Sequence, residues 1–122
     1  MLIYLAGGMR SNWREYVKRN APRHDYLDPS FHGLDHENQY TLWDLLAIEA
    51  AHLIFAYMER DNPGGQGLCI EIGYAKKSGK PVIFVEENAH RYMGMARACA
   101  DVVVDSLEEG VKVLVALDSF GG

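Results

Sequence analysis

The stretch "GQGLCIEIGYAKKSGKPVIFV", Gly65 to Val85, decides how the chain is read. Pro81 to Val85 is a short apolar run, the signature of a buried strand. Ahead of it, Leu68, Ile72 and Ala75 recur at i, i+4 and i+7, which is one stripe of a helix. Lys76 and Lys77 suit the negative end of that helix, and Gly79 suits its C-terminal stop. A helix that returns straight into a buried strand is half of a βαβ unit, so the sheet should be parallel. Glu71 falls on the border of the apolar stripe, between Leu68 and Ala75. Near a helix N-terminus the free N–H groups and the dipole favour an anion. A carboxylate there is ionised while only partly solvated, as a nucleophile or general base requires. The pattern fits equally well a first-turn Glu that serves helix stability alone.

Outward from this unit the same alternation continues. Leu2 to Ala6 is an apolar run ending at Gly7-Gly8, a strand and a turn. Asn12 to Arg19 reads as a helix stopped by Pro22, and Asp25 to Leu27 as a short second strand closed by Asp28-Pro29. Pro29 to Gln39 reads as a polar loop, Thr41 to Ala51 as a helix capped by Thr41, and His52 to Met58 as the third strand. Glu59 to Gly67 is a glycine-bearing loop ahead of the helix that ends at Ser78. After the strand Pro81 to Val85, a helix is expected within Arg91 to Cys99, then a strand from Asp101 to Val104 and a closing helix from Leu107 to Leu117. Five strands alternating with helices predict an α/β fold, a flavodoxin/Rossmann-like three-layer sandwich with a parallel sheet in the order 2-1-3-4-5. In that order a ligand crevice opens beyond the carboxyl ends of the first and third strands. The loops there carry Gly7, Gly8 and Arg10 on one side and Gly65, Gln66 and Gly67 on the other.

Composition narrows the function classes. The 122 residues suit a single domain over 1–122. Hydrophobic residues at 48% and charged residues at 24% fit an ordinary globular chain. A net charge of −5 with no basic run argues against a nucleic-acid polymer as partner, while a small nucleotide needs only a few local groups. No apolar stretch is long enough to span a membrane, and "MLIYLAGG" lacks the basic segment of a signal peptide, so a cytoplasmic location is expected. The two cysteines, Cys69 and Cys99, form no framework, and Cys69 reads as a small buried filler. His32 and His36 lie in the Gly- and Asp-bearing loop with no third ligand close by, and read as surface histidines rather than a zinc site. No metal site is expected.

Tyr4 shares a strand face with Leu2 and Ala6 near the crevice, where its hydroxyl can reach an ionised carboxylate on the neighbouring helix. At this point "IYLAGG", "DLLAIEAAHLIFAY" and "GLCIEIGYAKKSGKPVIF", in this order over most of the chain, resemble the nucleoside 2-deoxyribosyltransferase family, including the related deoxynucleoside 5′-monophosphate N-hydrolases. The segment "EIGYA…GKPV" is the most specific part. The resemblance implies that Glu71 is the catalytic nucleophile, that Tyr4 orients it and that Asp44 acts near the base. It implies double displacement: Glu71 attacks the anomeric carbon, the base leaves with a proton, and a second base or water takes the sugar, without cofactor. It also implies a homodimer or larger homo-oligomer in which Met95 closes a neighbour's site. Gly65 stands where the transferases carry a sugar-binding Asp and the N-hydrolases a phosphate-binding Ser, and Met93 where the transferases carry an Asn. The expected substrate is thus a small nucleoside or nucleotide. The leading expectation is cleavage or exchange of the N-glycosidic bond of a (deoxy)nucleoside. A 5′-monophosphate N-glycosidase, supported by Arg10, and a non-catalytic nucleotide-binding domain are the alternatives.

Overall fold

A computed structural model describes residues 1–87 and 92–120. Its strands are β1 (Leu2–Gly7), β2 (Asp25–Leu27), β3 (Leu53–Met58), β4 (Val82–Glu86) and β5 (Val102–Val104). Its helices are α1 (Trp13–Asn20), α2 (Glu37–Ala50), α3 (Gln66–Lys77), α4 (Gly94–Cys99) and α5 (Leu107–Ala116). All strand pairs are parallel and the order is β2-β1-β3-β4-β5, as the alternation of elements predicts. Part of the expected helix within Arg91 to Cys99 lies outside the described residues.

Period-two alternation divides the sheet between two cores. Tyr4, Ala6, Ile54, Ala56, Met58, Val82 and Phe84 face one layer, against Ala47, Ile48 and Ala51 of the α2 segment and Leu68, Ile72 and Ala75 of α3. Ile3, Leu5, Leu53, Phe55, Tyr57, Ile83 and Val85 face the other, against Trp13 and Val17 of α1 and Val111 and Leu114 of α5. Covered on both faces, β3 and β4 are buried at every position, which is why they read as unbroken apolar runs.

Most boundaries fall within a residue of expectation, and the larger differences lie between β2 and α2. Thr41 does not cap α2. The helix begins at Glu37, and His36 caps it, its Nδ1 accepting from the Asn38 N–H at 3.3 Å. A histidine cap is outside the usual Ser, Thr, Asp and Asn set, so no residue pattern announces it. The loop after β2 is also partly ordered: Pro29–Phe31 forms a 3₁₀ turn capped by Asp28.

Candidate active site

The β1–α1 turn and the β3–α3 loop meet at the carboxyl end of the sheet. Arg10 Nη1 donates to the Asp61 carbonyl at 2.6 Å, tying the two together. Gly7 pairs with Tyr57, and a Cβ on Gly7 would lie 2.7 Å from the Tyr57 carbonyl oxygen, so the strands close only with glycine here. Beneath this turn Arg14 is buried. Its Nη2 donates to the Leu5 and Gly7 carbonyls at 3.1 and 2.9 Å, its Nη1 to Gly8 at 2.9 Å, and its Nε lies 3.5 Å from Asp28 Oδ1. One guanidinium thus replaces the water that the exposed carbonyls of a sharp turn would otherwise require.

Tyr4, Asp44 and Glu71 converge just below. The Tyr4 hydroxyl donates to Glu71 Oε2. Asp44 and Glu71 line one cavity of about 120 Å³ with Tyr40, Thr41, Gly67 and Ile70. Leu68 and Ile72 are buried while Ile70 is 65% exposed, so Glu71 sits on the border of the apolar stripe and points toward β1. Its position along the helix differs from expectation. α3 begins at Gln66, which puts Glu71 in the second turn, beyond the reach of the dipole and the free N–H groups. Burial instead pushes the Glu71 carboxyl up to about 7, with the Tyr4 hydroxyl acting against burial and the Asp44 charge adding to it. Burial raises Asp44 as well, opposed by His32, Tyr4 and Arg14. Burial and the neighbouring Glu71 raise the Tyr4 phenol, which therefore stays a donor. The two raised carboxyl groups lie side by side, so charge on one favours the proton on the other. A carboxylate that attacks and a carboxyl that protonates are the two roles such a pair can divide.

The remaining expected residues lie around this pair at different distances. Gly67 lines the small cavity itself. Gly65 and Gln66 line an adjacent cavity of about 220 Å³ with Met58, Asn62 and Met93. Gly65 has φ +128°, a conformation in which an Asp or Ser side chain would be strained. Gly8 lies against Asn62. Met95 is 86% exposed, so in a single chain it does not reach this site. Met93 is buried instead, with the Cys69 thiol donating to its sulfur at 3.4 Å. Burial and then Glu86 raise the Cys69 thiol, which suits a filler.

Sequence reading missed Arg14, Trp43 and His32. His32 is not a surface histidine. Its side chain is 9% exposed and its ring lies edge-on to Trp43 with centroids 4.9 Å apart, while Trp43 in turn lies 6.5 Å from the Tyr4 ring. No periodicity marks a residue that a 3₁₀ turn folds back over a helix, so the loop's polar composition misled. Among the described residues no group of three or more His, Cys, Asp or Glu is placed to hold a metal ion, and no helix is long and apolar enough to cross a membrane.

Comparison with known proteins agrees with this geometry. A search of curated proteins finds no match. Solved structures that share the fold include the following three. A 2-deoxyribosyltransferase from Bacillus psychrosaccharolyticus superposes with a TM-score of 0.72 at 20% identity, covering 89% of each chain. The CMP N-glycosidase BcmB of Clostridium botulinum gives 0.67 at 22% identity, covering 93% of this chain and 98% of that one. A 2-desoxiribosyltransferase from Leishmania mexicana gives 0.68 at 19% identity, covering 94% and 97%. The sequence profile described as "Nucleoside 2-deoxyribosyltransferase like" matches residues 1–89, most of the chain, and the protein belongs to that family.

Proposed function

We propose that the protein cleaves or exchanges the N-glycosidic bond of a (deoxy)nucleoside through a covalent glycosyl-Glu71 intermediate. The observation that carries this reading is the half-buried carboxyl pair, Glu71 held by the Tyr4 hydroxyl and faced by Asp44, at the crevice beyond β1 and β3. An ionised Glu71 Oε attacks the anomeric carbon as the bond to the base nitrogen breaks. The bonding pair goes to the base, which takes the Asp44 proton. A second base, or water, then displaces Glu71. In either case the proton of the attacking N–H or O–H goes to Asp44, which restores the starting state. The division of labour is that of retaining glycosidases, with the sugar passing through an oxocarbenium-like transition state. Tyr4 fixes which Glu71 oxygen is free to attack. The chain works as a homo-oligomer, with Met95 of one copy covering the site of the next.

A 5′-monophosphate substrate is the second reading. It is favoured by Arg10, an exposed guanidinium tied to the Asp61 carbonyl of the β3–α3 loop, and by the likeness to a CMP N-glycosidase. Incubation with a panel of nucleosides and monophosphates, with and without an acceptor base, separates the two. A nucleoside substrate gives base release that an acceptor accelerates, and Arg10→Ala changes little. A nucleotide substrate gives a KM that rises at least about tenfold in Arg10→Ala, the scale of one charge-assisted hydrogen bond. No release from either class would exclude catalysis and leave a nucleotide-binding domain.

A further inference from the structure

We infer that His32 is a positioning residue for Asp44, holding the carboxylate left behind when Asp44 gives its proton to the departing base. The inference rests on the reading of Asp44 as proton donor. Three observations carry it. First, the Leu34 N–H donates to His32 Nδ1 at 2.9 Å, so Nδ1 is the unprotonated nitrogen of the neutral ring and Nε2 bears the hydrogen. Second, Nε2 lies 3.8 Å from Asp44 Oδ1, and the ring packs edge-on against Trp43. Third, Asp44 Oδ1 is a buried oxygen with no hydrogen-bond partner.

A buried carboxylate oxygen without a donor is destabilising, and the penalty falls on the charged state. The charge appears when the proton leaves with the base. The groups facing Asp44 are Tyr4 from β1, Glu71 from α3, Arg14 from α1 and His32 from the β2–α2 loop. Tyr4 is committed to Glu71, and Arg14 to the carbonyls of the turn. His32 is the neighbour whose Nε2 lies nearest Oδ1 among the described contacts and is otherwise unused there. At 3.8 Å the contact is longer than a hydrogen bond, and catalytic contacts of this kind tighten when substrate binds and charge develops. His32 also lines the cavity of about 570 Å³ between the β1–α1 turn and the β2–α2 loop, so it forms the partition between that space and the Asp44–Glu71 pair.

Two substitutions separate positioning from fold maintenance. His32→Asn keeps an acceptor where Nδ1 was, and so keeps the Leu34 turn, but removes the donor to Asp44. His32→Gln keeps a donor where Nε2 was and loses the turn contact. With 2′-deoxycytidine and CMP as probes, His32→Asn should lower kcat about 10- to 100-fold with KM within about threefold, and move the alkaline limb of the pH–rate profile upward, because a carboxyl that loses its donor holds its proton longer. His32→Gln should recover most of kcat. In ¹⁵N spectra of the substrate-free protein, His32 should show a protonated Nε2 whose signal moves in Asp44→Asn. Wild-type kcat in His32→Asn, no recovery in His32→Gln, a protonated Nδ1 in the neutral ring, or an Nε2 signal indifferent to Asp44→Asn would each overturn the inference. If Glu71→Gln is inactive while His32→Asn is fully active, only the role of His32 fails. If Glu71→Gln is active as well, the reading of the site fails with it.

Discussion

Glu71 shows what burying a carboxyl costs a fold. Its neighbours Leu68 and Ile72 are core residues, and its own carboxyl is held up near 7 by burial. The unfolded chain binds the same proton with an ordinary value of 4.5. Between those values the folded state holds the proton more tightly, so this group's contribution to stability is present below about pH 4.5 and is lost as pH rises through about 7. Glu71→Gln keeps an acceptor for Tyr4 and never ionises. It should therefore be more stable than the wild type at pH 8, by about 2 to 3 kcal/mol, because each tenfold gain in proton affinity on folding is worth about 1.4 kcal/mol. The advantage should be gone below pH ~4.5. Urea denaturation at the two pH values measures the difference. A mutant less stable than wild type at pH 8 would mean that the ionised carboxylate is fully compensated in the fold, and that the site is not strained toward its protonated form.

At the scale of elements, what repeats is legible in the sequence and what folds back is not. The buried strands and the α3 stripe follow from period and composition, and with them the sheet order and the crevice. Tyr4 and Glu71 meet because β1 presents alternate residues to the face that α3 covers, and both facts stand in the sequence. Asp44 is indicated by family likeness alone. Its neighbours Leu42 and Leu46 are apolar yet 60% and 55% exposed, so α2 turns Ala47 and Ile48, not its leucines, toward the sheet and misdirects a periodicity argument. His32 depends on a 3₁₀ turn that no pattern announces. Helix α5 shows the same dependence on close approach. It opens with Ser106 accepting from the Glu109 N–H at 3.1 Å, a legible cap, but Gly110 in its first turns is there for space. A Cβ on Gly110 would lie 2.5 Å from Val85 Cγ2 and 2.9 Å from Phe55 Cζ. Gly110→Ala should lose about 1 to 2 kcal/mol, since overpacking outweighs the gain in helix propensity. Thermal unfolding reads the result, and a higher Tm in the mutant would show that α5 can lift away from the sheet without penalty.

For the molecule as a whole, the parallel topology delivers the two glycine-bearing loops to one end, and α2, α3 and α4 lie side by side on the face that carries the site. The outer side of that layer is apolar at Leu42, Leu46 and Ile70, and Met95 in α4 and Tyr92 just before it are exposed at 86% and 81%. Exposed apolar groups gathered around a site suit a protein surface that another copy covers. Light scattering at assay concentration should give at least twice the chain mass of 13.7 kDa, and Leu46→Glu should lower both mass and activity. A fully active monomer would remove Met95 from the site.

The central claim is that Glu71 carries the sugar. Its most direct measurement is the turnover of Glu71→Gln on whichever nucleoside or nucleotide the wild type cleaves, at matched folded concentration. The amide keeps the shape and the Tyr4 hydrogen bond but cannot attack, so base release should fall by at least about a thousandfold, with no glycosylated protein detectable by mass spectrometry. Base release within a few-fold of wild type would contradict the account, leaving Glu71 a buried helix residue and the nucleophile elsewhere.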